Sequence, residues 1–375
     1  MLVKIVLRVV NCYKQGVLMS NKTIYQEIFN VFVKLGFTSF GGPAAHVAMM
    51  EDELVTKRKW LSKERFIDMY GFTSLIPGPN STEMAILMGY HRGGIPGLII
   101  AGLSFILPAV FIVLALAFAY VTYGSIPMVA NLFEGVKPVI LAIVLQALYR
   151  LSKAILSSFE KALIFVTVLA LSFLGLSEIP LILIGASVYF ILKKLPKGKI
   201  FMIEPMSAMM VFLVFLKIGS VLYGSGYVLL SFLETEFVLR YGAITNQTLL
   251  DAVAVGQFTP GPVFTTATFI GYVIAGFPGA IGATIGIFLP SFLLVAFVFP
   301  WFERIRQNKI ISIFVDGVNT ASIALMASVT IKLGLTTLIG WQSFIIFLLC
   351  ALLLIKTKIN ATWLILAGAS IGILL

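Results

Sequence analysis

Long apolar runs separated by short polar stretches follow one another along nearly the whole chain. The first covers residues 23–50, and residues 51–65 behind it form a charged loop with five basic and four acidic residues. Residues 66–90, 96–120 and 127–149 are the next apolar runs, with His91-Arg92-Gly93-Gly94 as a turn between the first two of these. Residues 163–176 and 180–192 read as a tight hairpin around Ser177-Glu178. A helix of about 20 apolar residues spans a hydrocarbon core about 30 Å thick. The pattern therefore predicts an all-α polytopic membrane protein, and no polar segment is long enough for a soluble domain.

Two runs carry the same interruption: Ile76-Pro77-Gly78-Pro79-Asn80-Ser81-Thr82-Glu83, and its echo Thr259-Pro260-Gly261-Pro262-Val263. Each pair of prolines removes two backbone donors and clashes with the preceding turn, while the glycine admits torsions closed to other residues. A broken or re-entrant helix is expected at both places. Inside a bilayer the freed backbone groups persist only against protein or a water-filled cavity, so two matching breaks predict a polar site between two repeats.

The echo extends over the chain. Lys34, Gly36 and Gly41 return as Lys217, Gly219 and Gly224, and Asp68 and Thr82 return as Asp251 and Thr265, all at an offset of 183. After one deletion, Gly94, Pro96 and Pro108 match Gly276, Pro278 and Pro290 at 182. Prolines, glycines and carboxylates in one register mark an internal repeat. The division reads as an amphipathic start at 1–22, a first repeat at 23–192, a basic linker at 193–200 and a second repeat at 201–375. Lys4 and Arg8 interrupt the apolar part of the start, which is read as retained and not as a signal peptide.

Charge decides how the halves relate. Loop 51–65 is rich in Lys and Arg, but its mate 234–248 has Arg240 alone; loop 121–128 has none, while its mate 300–310 has Arg304, Arg306 and Lys309. Positive charge changes sides between mates, so the positive-inside rule predicts inverted repeats. Inversion needs an odd number of crossings per half. About six apolar segments per half leave one re-entrant, and residues 66–90 and 251–272 are the candidates. This count strands the basic residues 1–22 on the disfavoured side unless they add a crossing.

Composition agrees: 59% of residues are hydrophobic and 11% charged, against about 25% charged in soluble domains. The net charge of +11 sits in short loops, so it reads as orientation in the membrane and not as a nucleic-acid surface. Two cysteines, Cys12 and Cys350, and two histidines suggest no disulfide framework, metal or cofactor. No phosphate-binding loop motif occurs, so neither an enzyme nor a primary pump is expected.

The first half strings together Phe40-Gly41-Gly42-Pro43-Ala44-Ala45-His46, Trp60-Leu61, Pro77-Gly78-Pro79-Asn80-Ser81-Thr82-Glu83, Gly89-Tyr90 and Phe105-Ile106-Leu107-Pro108. This series closely resembles the chromate transporter (CHR) family in its long form of two homologous halves, from about Lys34 onward. In the second half the glycine motif has drifted to Gly224-Ser225-Gly226-Tyr227 and lacks the histidine. The resemblance implies transport of a tetrahedral oxyanion, chromate most of all, outward across the cytoplasmic membrane. Sulfate or another physiological anion is the alternative substrate, and an anion channel the alternative mechanism. Lipid is the other partner, and a homodimer is an option.

The residues themselves give a compatible chemistry. A restarted helix presents free amide groups and the positive end of its dipole, which attract anions. Substrate contacts are therefore expected from Gly41, Gly42, Pro43, His46, Pro77, Gly78, Pro79, Asn80, Ser81 and Thr82, and from Gly224, Gly226, Pro260, Gly261, Pro262, Thr265 and Thr266 in the second half. A tight turn, or close helix packing, accounts equally for the glycine and proline motifs. Charged groups within apolar spans form a second set: Lys34, Lys217, Glu83, Asp68 and Asp251. The lysines either attract the anion, pair with a carboxylate or snorkel. Glu83 either carries a coupling proton or stabilises a helix start.

Overall fold

The computed structural model describes residues 21–40, 42–73, 75–124, 126–155, 159–173, 181, 206–222, 228–301, 309–357, 359 and 361–374. Gly41, Gly224, Gly226, the turn at Ser177-Glu178 with nearly all of the arm 180–192, the linker 193–200 and nearly all of the amphipathic start lie outside them. The described residues are helical without a strand. In the first half they form α1 (Asn21–Thr38), α2 (Pro43–Glu51, prolonged by a π-helical turn Asp52–Lys57), α3 (Lys63–Thr73), α4 (Asn80–Tyr123), α5 (Pro127–Ile155) and α6 (Phe159–Phe173). In the second they form α7 (Ala208–Val221), α8 (Leu229–Leu233, prolonged by Glu234–Arg240), α9 (Asn246–Phe258), α10 (Thr266–Val298), α11 (Lys309–Thr337), α12 (Trp341–Lys356) and α13 (Ala361–Leu374).

The 44 residues of α4 are not one span. Gly93 (φ −138°, ψ 19°) and Gly94 (φ 62°, ψ −151°) leave the helical region. A Cβ on Gly89 would fall 2.3 Å from the Gly97 carbonyl oxygen, and one on Gly102 2.9 Å from Ile86 Cγ1. In a straight helix residues 89 and 97 stand about 12 Å apart. The chain therefore folds back at Gly94, and a short arm, 80–92, packs against a long one, 95–123. The second half repeats the device: Ala275 and Gly276 take nearly the same torsions, and Gly271 meets the Gly279 carbonyl.

The first apolar run also reverses. Lys34 pairs with Glu53 and Glu27 with Arg58, so α1 and α2 run antiparallel around a turn at 39–42. Gly42, at φ 81°, makes that turn, and Pro43 opens α2. α1 lies along the long arm of α4, with Ile28 against Gly97 and Gly36 against the Phe105 carbonyl. Phe105 is about 16 Å along α4 from Gly94, roughly half of the hydrocarbon core. The 39–42 turn thus sits at mid-depth. The Pro-Gly-Pro break does too, because α3 and the short arm of α4 each have too few residues to cross the core alone.

The first half therefore sends in two re-entrant hairpins from one face, here the Gly94 face, and then crosses fully with residues 95–123. The sequence expected a re-entrant segment only at 66–90, a single span at 23–50 and a loop at 51–65. The structure corrects the last two: 23–50 is two arms, and the helix continues to Lys57. Residues 1–20, whose charges that count stranded, lie outside the described residues. Because α1 is an arm and not a crossing, Asn21 stands on the same face as Arg58.

Ring contacts establish inversion. Tyr90, near the Gly94 turn, packs against Phe299 beyond the far end of α10, and Tyr272, near the Gly276 turn, packs against Phe118 near the far end of α4. The centroid separations are 6.0 and 6.5 Å. Only antiparallel long arms allow both contacts, so the two repeats enter from opposite faces. Cysteines placed at 118 and 272, or at 90 and 299, are expected to be joined by a short bifunctional thiol reagent, whereas 90 with 118 should stay unlinked; electrophoretic mobility reads the outcome. Around this centre, α5 packs on α12 and α13, where Gly135 approaches the backbone of Gly368 and Gly372 closely enough that no Cβ would fit. Such small-residue contacts let helices approach in a membrane.

Candidate functional site

The tips of opposing hairpins touch at mid-depth. The Gly78 N–H donates to the Leu222 carbonyl, and the Gly261 N–H to the Ser39 carbonyl, each at 2.8 Å. Ser39 and Leu222 share the 183 offset of the two glycines, so this is one contact repeated by the pseudo-twofold relation. Both glycines hold positive φ, 139° and 89°. Sequence reasoning expected the breaks to offer free amides; at these two glycines the structure corrects that, since each tip's amide is satisfied by the other half.

Side chains of the first-half hairpin tips keep open polar atoms. Ser39 Oγ, Asn80 Oδ1, Thr82 Oγ1 and Glu83 Oε2 are buried atoms without a hydrogen-bond partner among the described residues. Ser39, Thr82 and Glu83 are fully buried. His46, also buried, places Nδ1 3.3 Å from Ser81 Oγ and its ring edge-on to Phe105. The Ser39 carbonyl, which takes the Gly261 amide, faces the same ring. Glu83 Oε1 receives the Ser291 hydroxyl of the opposite half at 3.3 Å and lies directly against Gly78. Native proteins rarely leave buried polar atoms unpaired, and a cluster of them calls for a partner that is not protein. The N-cap position of α4 falls to Pro79, whose side chain cannot cap, and Asn80 follows as the first helical residue.

The second break is closed by comparison. The hydroxyls of Thr259, Thr265 and Thr266 donate to the carbonyls of Val255, Pro262 and Val263. Pro260 and Pro262 flank Gly261 in a fully buried turn, as Pro77 and Pro79 flank Gly78. The twofold relation thus brings the tips together, but the polar side chains that follow the first break keep unpaired atoms, whereas the threonines at the second are bonded to backbone carbonyls.

The predicted charges separate into different places. Lys34 and Lys217 form matched ion pairs with Glu53 and Glu236, at 3.4 and 2.5 Å, on the π-helical turns. Each ties the arms of its own hairpin together. Asp68 is half-buried on α3, about two turns before the break. Asp251 is buried on α9 and accepts the Tyr120 hydroxyl at 2.8 Å. Sequence reasoning missed Ser39, Ser291, Tyr120 and Lys137. A lone cation inside an apolar helix is a usable signal, and Lys137 carried it. Single serines carry none, because they also serve helix packing.

At the Gly94 face, Glu27 accepts from Trp60 Nε1 at 3.0 Å and Arg92 Nη2 at 2.9 Å, with Arg58 Nη1 at 3.4 Å. The Arg92 guanidinium lies over the Trp60 ring, 5.3 Å from its centroid. This clasp binds the outer ends of both first-half hairpins beside a groove of about 410 Å³ lined by Thr23, Gln26, Asn30 and Arg58. The matching positions of the second half are Met210, Tyr241, Ala243 and Ile274, so the opposite face has no such clasp at those positions.

The profile of the family described as chromate transporter matches residues 26–191 and 209–373, one stretch in each repeat. The chain belongs to the chromate transporter family. It is 32% identical to a probable chromate transport protein of Synechococcus elongatus, over 86% of this chain and 88% of that one. It is 31% identical to the chromate transport protein of Cupriavidus metallidurans, over 92% of each. The chromate transport protein of Pseudomonas aeruginosa is 28% identical, over 84% of this chain and 82% of its own length. No solved structure matches. The family assignment agrees with the multi-pass architecture, and its two matched stretches are the two inverted halves.

Proposed function

We propose that this chromate transporter family protein is a secondary carrier that exports a tetrahedral oxyanion, chromate first among them, across the cytoplasmic membrane. The observation that carries the reading is the cluster of unpaired buried polar atoms at the junction of the hairpin tips. The Ser39 and Thr82 hydroxyls are unpaired neutral donors at mid-depth, with the Ser81 hydroxyl held by His46 beside them, which suits an anion that must be released again; Asn80 serves through its amide nitrogen, since its open Oδ1 is an acceptor. The family of the chain and the substrates named for its relatives support the choice of anion.

Glu83 shapes the proposed cycle. An ionised carboxylate about one turn from the bound anion repels it by roughly 3 kcal/mol per unit of charge at 5 Å and an effective dielectric of about 20. A dianion doubles this figure. Glu83 therefore holds a proton whenever the anion is bound. The basic loop beside Arg58 supports an orientation with the Gly94 face in the cytoplasm. With that face negative, the membrane potential favours efflux by about 2.3 kcal/mol per charge per 100 mV.

Flux of labelled chromate and sulfate in vesicles of known orientation tests the reading. A carrier saturates and is stimulated by unlabelled substrate on the far side. Linear flux without that stimulation would identify a channel, and preference for sulfate would displace chromate as the substrate.

A further inference from the structure

A second buried polar cluster lies apart from the hairpin tips, toward the Gly276 face. Asp251 stands five residues into α9 and is buried. Its Oδ2 accepts the Tyr120 hydroxyl from near the end of α4, while its Oδ1 is a buried atom without a partner. Lys137, buried on α5, faces Asp251 and donates to Glu134 at 2.5 Å. Glu134 is largely exposed and also accepts from the exposed Gln247 at 3.1 Å. A polar path thus runs inward from solvent at this face, through Gln247 and Glu134, to Lys137 and Asp251.

The charges do not balance. Lys137 contributes one positive charge, and Glu134 and Asp251 one negative charge each. Among the described residues, the titratable groups facing Asp251 are these two from α5 and the Tyr120 phenol from α4. A net negative cluster with one unfilled carboxylate oxygen accepts a cation, and the smallest that fills a single lone pair without displacing a neighbour is a proton.

The cluster also joins parts that must separate. Tyr120 and Lys137 belong to the first repeat, and Asp251 to a hairpin arm of the second. An ionised carboxylate accepting a hydroxyl makes a charge-assisted bond about twice as strong as a neutral one. The twofold mates of Tyr120, Lys137 and Asp251 are Phe302, Asn319 and Asp68, so the sequence supplies the phenol and the cation to one repeat only.

We infer that Asp251, Tyr120, Lys137 and Glu134 form a proton-binding clasp on the Gly276 face, which holds the two repeats together when ionised and releases them when it takes a proton from that side. The inference rests on the carrier reading above and adds a one-sided control to it. Falling pH on the Gly276 face then speeds the transport cycle, whereas the same change on the Gly94 face does not act through this clasp.

The test is counterflow of labelled chromate by the full-length protein in oriented vesicles, with pH set separately on each face. Wild type should speed up as the Gly276 side is acidified. Asp251→Asn, which removes the charge, should be fast and insensitive to pH on that side. Tyr120→Phe removes the phenol hydroxyl, and with it the bonds to Asp251 and Thr248, and should raise the high-pH rate toward the low-pH rate; it also serves if Asp251→Asn fails to fold. Persistence of the wild-type pH response in Asp251→Asn, no change in Tyr120→Phe, or a wild-type rate indifferent to pH on the Gly276 side overturns the clasp while counterflow itself upholds the carrier. Absence of saturable counterflow in wild type at every pH overturns both.

Discussion

Replacing Gly78 by alanine is expected to abolish transport and to lower the thermal stability of the purified protein. A Cβ there would stand 2.1 Å from Glu83 Oε1 and 2.5 Å from Ser291 Oγ, at a backbone φ of 139°. Holding a non-glycine residue in such a region costs about 1–3 kcal/mol, and overpacking a filled core adds about 1–3 kcal/mol. The sum is a sizeable part of the roughly 5–15 kcal/mol that separates folded from unfolded states. The damage also falls on the bond that joins the halves, because the Gly78 amide donates to Leu222. Gly71 is the control: it lies on α3, and a methyl group added there would meet nothing within 4 Å, so Gly71→Ala should be neutral or stabilising. Fluorescence-detected melting of both variants, beside vesicle flux, reads the contrast. Equal behaviour of the two would remove the tip junction from the account.

Alanine at Asn80 and Thr82 should have the opposite signature, with flux lost and stability kept or raised. Both side chains hold a buried polar atom that no protein group among the described residues satisfies. Removing an unsatisfied buried group relieves a desolvation cost of about 1–3 kcal/mol. A structural role would show the reverse sign. Thr265→Ala and Thr266→Ala provide it: their hydroxyls bond to backbone carbonyls, and loss of such a bond costs about 0.5–1.5 kcal/mol. Saturable flux through the Asn80→Ala, Thr82→Ala double variant at the wild-type level would mean that the anion binds elsewhere. A melting temperature that falls in that variant would mark the two residues as structural.

Asn80 and Thr82 were visible in the sequence because they follow a proline-glycine-proline break, and such breaks are rare inside apolar runs. The repeat was visible for a similar reason. Prolines and glycines keep their register because each enforces a backbone torsion, so Gly94 and Gly276 betray matching reversals. Ser39 and Ser291 were not visible. Their importance comes from the residues they meet, Gly261 in one case and Glu83 in the other, both more than 200 positions away. The ion pairs of Lys34 and Lys217 were open to three readings for the same reason. Only the antiparallel path of α1 and α2 puts Lys34 beside Glu53.

By itself the sequence determined that the chain is membrane-embedded, helical, duplicated and broken at two matching points, since composition, residue spacing and proline chemistry act locally. The swap of basic loops also pointed to inversion, because orientation in a membrane follows from charge counted along the chain. Depth, and the pairing of distant groups, were decided only by the tertiary structure. A mostly apolar stretch of 28 residues at 23–50 is equally long whether it crosses or turns back, and a turn at Gly42 made it two arms. That reversal brings Ser39 under Gly261 and leaves the polar atoms of the first break without protein partners, which is a property of packing between repeats and of no single segment.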